Sequence, residues 1–203
     1  MSKYAIKHFS LGTLRQWHWI SSALCLAGML LFAITGITLN HAGSIEAKPL
    51  TITVEAELPK PLLKQLQKSA ASQQLTPAIK QWIEQQVPRG VAWQDPEWSE
   101  DELYLAQPRP GGDGWLSLDL EAGELLYEST DRGWIAYFND LHKGRNSGEL
   151  WSWFIDIFAV ICVVFSLTGL WLLQRQAKSR PTTWPITLAG LLLPLLIMLL
   201  FIH

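Results

Sequence analysis

The chain has 203 residues, 49% of them hydrophobic, and a formal net charge of -2. That near-neutral total hides an uneven spread: residues 42–149 hold ten Lys/Arg and 17 Asp/Glu, a net of -7, which argues against a nucleic-acid partner. The two cysteines, Cys25 and Cys162, both lie in apolar stretches, so they read as small hydrophobes rather than a disulfide framework.

Residues 1–16 form a basic arm with Lys3, Lys7 and Arg15 and no acid; His8 within it reads as solvated. Trp17–Asn40 is apolar for 24 residues. As helix it measures about 36 Å, enough to cross a hydrocarbon core of ~30 Å with some tilt. It is too long for a signal-peptide core and no A-x-A-like site follows, so a retained anchor is expected.

Residues 41–150 read as a small α+β domain inserted between membrane helices. Leu50–Val54 alternates and predicts a strand. Pro59 opens a helical pattern over Leu62–Ser72, and Pro77–Val87 predicts a second helix ended by Pro88 and Gly90. The period then changes to two, predicting strands at Glu102–Gln107, Gly114–Leu120 and Glu124–Glu128. Residues 108–114, Pro-Arg-Pro-Gly-Gly-Asp-Gly, read as a flexible loop, and Glu121-Ala122-Gly123 as a tight turn. The acidic run Asp95–Glu102 reads as a solvated loop. Gly133–His142 predicts a short amphipathic helix.

Trp151–Gln174, again 24 residues, predicts a second span. Residues 175–183 form a loop, and residues 184–203 a third span whose apolar run, Trp184–Ile202, is about 28 Å of helix. The fold class expected is therefore membrane α-helical, with three transmembrane helices and the α+β insertion. Trp17, Trp19, Trp151, Trp153 and Trp184 mark the span ends, where amphipathic rings suit the headgroup level. The loop residues Arg175, Lys178 and Arg180, like the N-terminal arm, have no acid among them. Positive flanks stay in the cytoplasm. The expected localisation is the bacterial inner membrane, multi-pass in lipid, with the N-terminus cytoplasmic and the main domain periplasmic.

Three histidines stand at span ends. His41, in L-N-H-A-G, closes the first span; His142, in N-D-L-H-K-G-R-N-S-G, precedes the second. If the two spans cross in opposite directions, both imidazoles lie at the same face, where they could grip one metal-centred cofactor. His18, in R-Q-W-H-W, lies at the other end of the first span, where an ionisable group is a functional suspect. The ordinary alternative for each is an interfacial histidine bonded to headgroups. His203, after a run of leucines, is not taken as a ligand. An echo links Phe32-Ala33-Ile34-Thr35-Gly36-Ile37 with Phe165-Ser166-Leu167-Thr168-Gly169-Leu170. Small residues there would let helix backbones, or a flat cofactor, approach closely, and plain helix packing is the simpler reading.

Residues 115–126, W-L-S-L-D-L-E-A-G-E-L-L, resemble the strand–D-x-x-x-G-E–strand hairpin of a PepSY domain. T-G-I-T-L-N-H-A-G, Y-F-N-D-L-H-K-G-R-N-S-G and the helix after it resemble the PepSY-associated transmembrane helix family, over nearly the whole chain. Larger members include inner-membrane reductases that bind haem and release iron from ferric siderophores; this chain differs in having three spans rather than four or more. The resemblance implies b-type haem held by membrane histidines, with His18, His41 and His142 the metal ligands. R-x-x-H-W also resembles the first helix of some bacterial cytochromes b. A low-spin b-type haem takes two axial imidazoles. His18 and His41 are 23 residues apart, about 35 Å of helix, and cannot share one haem. Haem b is thus expected at one or two per functional unit; if both ligate there are two haem levels, one near each face, and a homodimer could supply a missing partner for His18. Lys143 and Arg145 could neutralise propionates. Asp156 could orient a histidine or pair with Lys143 or Arg145.

The function this implies is electron transfer across the membrane to a ferric complex or redox protein outside, as a ferric (siderophore) reductase or an electron-transfer subunit. No Rossmann fingerprint or flavin motif occurs, so the donor would be a quinone or another redox protein. No H-E-x-x-H or G-x-S-x-G supports a hydrolase. The alternative is a non-enzymatic module whose domain binds or modulates a partner protein, such as a protease or an envelope-assembly factor.

Overall fold

A computed structural model describes residues 12–70 and 72–202. The expectations for Lys3, Lys7, His8 and His203 lie outside the described residues. Three helices are long and apolar enough to cross a membrane: α1, Leu14–Asn40; α5, Glu149–Gln176; and α6, Thr183–Phe201. α1 begins before its first tryptophan because Thr13 and Gln16 make a reciprocal cap. Gln16 N–H donates to Thr13 Oγ1 (3.3 Å) and Thr13 N–H to Gln16 Oε1 (2.7 Å), which satisfies two helix-end donors. A 3-10 turn, Ala177–Ser179, ends α5. In α6, Pro194 stands in mid-helix, where it leaves the Gly190 carbonyl without its usual N–H donor.

The chain divides into two compact units, residues 1–31 with 154–203, and residues 32–153. In the first, α1 and α5 run antiparallel. His18 meets Thr168 and Gly28 meets Phe158, so ten residues forward on one helix correspond to ten back on the other. A Cβ on Gly28 would stand 2.4 Å from Phe158 Cε2, so only glycine admits that ring. Cys25 and Cys162 are free thiols.

In the second unit a five-stranded antiparallel sheet runs in the order β1-β5-β4-β3-β2. Its strands are β1, Leu50–Glu57; β2, Glu97–Trp98; β3, Glu102–Ala106; β4, Gly112–Asp119; and β5, Glu124–Asp131. Helices α2, Lys60–Ala70, and α3, Pro77–Gln86, cover one face. The period-two pattern explains the core. Leu103, Leu105, Leu116, Leu118 and Leu125 point inward against Leu66, Ile79 and Ile83, each side chain fully buried or nearly so. Each such side chain contributes about 1.5–3 kcal/mol of transfer free energy.

Two sequence expectations need correction. The acidic run is not wholly loop, because Glu97–Trp98 pairs with Tyr104 and Leu103 as an edge strand too short to show a period. Nor is 108–114 a free loop, since β4 starts at Gly112 and Gly111 is fastened. Glycine is required at Gly112, where a Cβ would meet Thr130 O at 2.6 Å.

That fastening comes from α4, Gly133–Lys143. Asp140, with its side chain 6% exposed, accepts the Gly111 N–H on Oδ2 at 2.9 Å. Lys143 Nζ lies 3.2 Å from Oδ1 and Arg132 Nη2 3.7 Å from Oδ2. Burial alone would push the Asp140 carboxyl up. The Gly111 N–H, Lys143 and Arg132 together outweigh it and hold the group below the usual carboxylate range. The stability this contributes is present above the unfolded-state value and is lost as pH falls through the lowered folded value. Asp140→Asn should therefore flatten the acid side of the stability profile, and Asp140→Ala should cost about 2 kcal/mol at neutral pH. Thermal unfolding of the detergent-solubilised chain across pH reads both; an unchanged acid limb in Asp140→Asn would refute the linkage.

Candidate functional site

In the helical unit, His18 is half-buried on the first turns of α1. Its Nδ1 lies 3.0 Å from Thr168 Oγ1 on α5, and its ring stacks on Phe165 with centroids 5.0 Å apart and planes at 11°. A Cβ on Gly169 would stand 3.3 Å from His18 Cε1, so the glycine leaves the imidazole room. The Thr168 hydroxyl donates to helix carbonyls, Val164 O at 2.7 Å and Phe165 O at 3.0 Å.

In the other unit, His142 is half-buried on the last turn of α4. Its Nδ1 lies 2.7 Å from Thr35 Oγ1, and its ring centroid 5.1 Å from that of Phe32 at 47°. A Cβ on Gly36 would be 3.6 Å from His142 Cε1. Thr35, itself buried, donates to Phe32 O at 3.1 Å.

The echo thus becomes a repeated cradle. Phe-x-x-Thr-Gly offers a histidine an aromatic neighbour, a hydroxyl oxygen for Nδ1 and a glycine beside Cε1, once from α5 and once from α1; the ring is stacked on His18 and tilted to His142. The hydroxyl proton is committed to the helix carbonyl in both cases, so Oγ1 accepts and Nδ1–H donates. That assignment, made from the hydrogen-bond network, leaves Nε2 with its lone pair. His41 reaches the same tautomer another way: Nδ1 donates to Ile37 O at 3.0 Å, and the side chain is exposed.

The contacts of the N-D-L-H-K-G-R segment hold the end of α4, where His142 stands. Gly144 takes the left-handed conformation (φ 66°) that ends α4. Its N–H bonds Leu141 O at 3.1 Å while Arg145 N–H bonds Asp140 O at 2.9 Å, a Schellman pair. Asn139, buried, accepts from Thr38 Oγ1 at 2.7 Å, and Trp151 Nε1 donates to Leu141 O at 2.8 Å. Lys143 faces Asp140, whereas Arg145 and Asp156 are exposed. Among the described residues no three His, Cys, Asp or Glu side chains gather as a metal-binding group. A haem held by imidazoles needs no such cluster. Imidazoles with Nδ1 held and Nε2 open have the donor chemistry that haem iron requires.

Thr35, Thr168, Phe32 and Phe165 were visible in the sequence as a repeat, but nothing local tied them to histidines 107 and 150 residues away. Nitrogen-15 shifts of the histidine rings at alkaline pH should show Nδ1 protonated for both His18 and His142. Thr35→Val should release that preference for His142 and leave His18 unchanged. A protonated Nε2 in the unaltered protein would contradict the assignment.

Compared with known protein families, the chain matches the PepSY_TM-like family over residues 9–203. No curated protein and no solved structure matched it. With that match running through the helices, the sheet and both histidine cradles, the chain belongs to the PepSY_TM-like family.

Proposed function

We propose that this chain is a multi-pass bacterial inner-membrane protein that holds b-type haem through His18, His41 and His142. It would transfer electrons across the membrane to an extracytoplasmic acceptor, either siderophore-bound ferric iron or a redox protein. The observation that carries this reading is the repeated cradle. A histidine merely tolerated at a membrane edge needs one hydrogen bond; here two unrelated histidines receive the same phenyl, hydroxyl and glycine environment.

Haem, when bound, supplies the one-electron Fe(III)/Fe(II) couple. The chain's own residues do the rest. Thr35 and Thr168 fix ring orientation and tautomer. Phe165 stacks on one face of the His18 ring, and Phe32 lies tilted beside that of His142. Gly169 keeps a side chain from crowding His18 Cε1, and a Cβ on Gly36 would meet His142 Cε1 at ordinary contact distance. Arg145, exposed just beyond the Gly144 cap, suits a propionate better than Lys143, which already lies on Asp140. Each cradle holds a single histidine, so bis-imidazole ligation takes a further donor. His41 is one, and a second copy of the chain in a homodimer is the source that fits His18. The acid-free basic flanks support a cytoplasmic N-terminus, and the lack of a nucleotide-binding motif supports a quinone or a partner protein as donor.

The test is a dithionite-reduced minus oxidised visible spectrum of the purified chain, with haem quantified per polypeptide. A sharp low-spin b-type signal is expected, lost in part in His142→Ala and in His18→Ala. Thr35→Val should keep the signal but weaken haem retention roughly tenfold, as loss of a ligand's supporting hydrogen bond does. A haem-free protein from haem-replete cells would overturn this reading and favour the partner-binding module.

A further inference from the structure

The sheet of the 32–153 unit is not fully covered by its helices. On the inner face of β1, Val54 and Ala56 pack against the core, but Leu50 and Ile52, on the same side, are exposed. In the outermost row Leu50 pairs with Asp131, which pairs with Gly112. A cleft of about 500 Å³ opens here, within the range of small-molecule sites.

Two arginines line it. Arg109 is placed by the fold: Nη2 donates to Thr130 O at 3.0 Å, and its Nε sits where a Cβ on Gly112 would come within 2.7 Å. That Nε is buried and, among the described residues, has no hydrogen-bond acceptor. Arg89 comes from beyond the end of α3 and is 51% exposed. Both arginines share one oxygen: Asp131 Oδ2 is 3.5 Å from Arg89 Nη2 and 3.6 Å from Arg109 Nη1. The other Asp131 oxygen accepts the Gly133 N–H at 2.8 Å. Two guanidinium groups against one carboxylate leave a surplus positive charge, in a segment whose net charge is -7. Trp134 and Tyr137 also line the cleft. Trp134 is 75% exposed and stands edge-on to Tyr137, with centroids 5.7 Å apart at 77°.

We propose that this cleft binds a small organic anion with a flat aromatic body, of the size of a one- or two-ring carboxylate. Its carboxylate meets Arg89 and Arg109 and its ring lies against Trp134. A planar carboxylate matches the guanidinium fork, and a tryptophan left largely in water gains by covering an apolar ring. The proposal is independent of haem.

The probe is 2-naphthoate, titrated calorimetrically into the full chain in a non-ionic detergent, with neutral 2-naphthamide and with acetate as controls. Naphthoate should bind, and each control should bind at least about tenfold more weakly, the loss expected when a charge-assisted pair or a stacking surface is removed. Arg89→Gln and Trp134→Ala, both at exposed positions and checked for an unchanged thermal transition, should each weaken naphthoate binding to a similar degree. No heat from naphthoate at millimolar concentration, or equal binding by naphthamide or by either variant, would overturn the proposal.

Discussion

The Nδ1 edge of an imidazole packed against a long apolar helix needs a partner from the protein, because lipid offers no hydrogen bonds. This requirement organises both units. For His18 the partner is a threonine on the antiparallel helix, and meeting it fixes the register of α1 against α5. Once Thr168 accepts from His18, Gly28 falls opposite Phe158, where a Cβ would clash with the phenyl ring. For His142 the partner is Thr35, and the consequence is different. The bond fixes the end of a short helix against a long one, and Thr38 to Asn139 adds a second tie nearly one turn further along α1.

α4 passes that constraint into the sheet. Asn139 and Asp140 are consecutive, so on a helix they point about 100° apart. One turns to Thr38 on α1 and the other to Gly111 at the mouth of β4. Both are buried polar groups, costly unless bonded, and both have partners with good geometry. Arg132 and Lys143 bracket Asp140 from the two ends of α4, so its charge is matched without a partner from the core. The Gly144 turn then releases the chain toward α5 with the last carbonyls of α4 satisfied.

Much of this was legible in the sequence, because the relevant signals are local. Spans longer than a bilayer, alternating strands and a proline at a helix start each depend on neighbouring residues, and all three spans and four of the five strands follow from them. β2 was not legible: two residues carry no period, and their pairing depends on β3. The glycines of 108–114 suggested freedom, whereas Gly111 and Gly112 serve close approach to Tyr137, Thr130 and Arg109. Arg89 and Arg109 carried no signal, since arginines beside prolines in loops look solvated. Asp156 offers the basic residues of the 139–145 segment a carboxylate in sequence, whereas Lys143 lies on Asp140, three residues back on its own helix.

The glycines of α1 and α5 separate packing from site. A small residue in a membrane helix ordinarily serves a neighbour's close approach, and Gly28 does so, with a phenyl ring and no polar group beside it. Gly36 and Gly169 are preceded by threonine, and a Cβ built on either would point at an imidazole Cε1, 3.6 Å and 3.3 Å away. If packing alone had set these positions, serine or alanine could stand for threonine, and a phenylalanine three residues earlier would serve no purpose. The threonine hydroxyl answers to a ring nitrogen and the phenylalanine to a ring face. Together they hold each imidazole in a single tautomer. What that fixed geometry adds is a defined direction for Nε2.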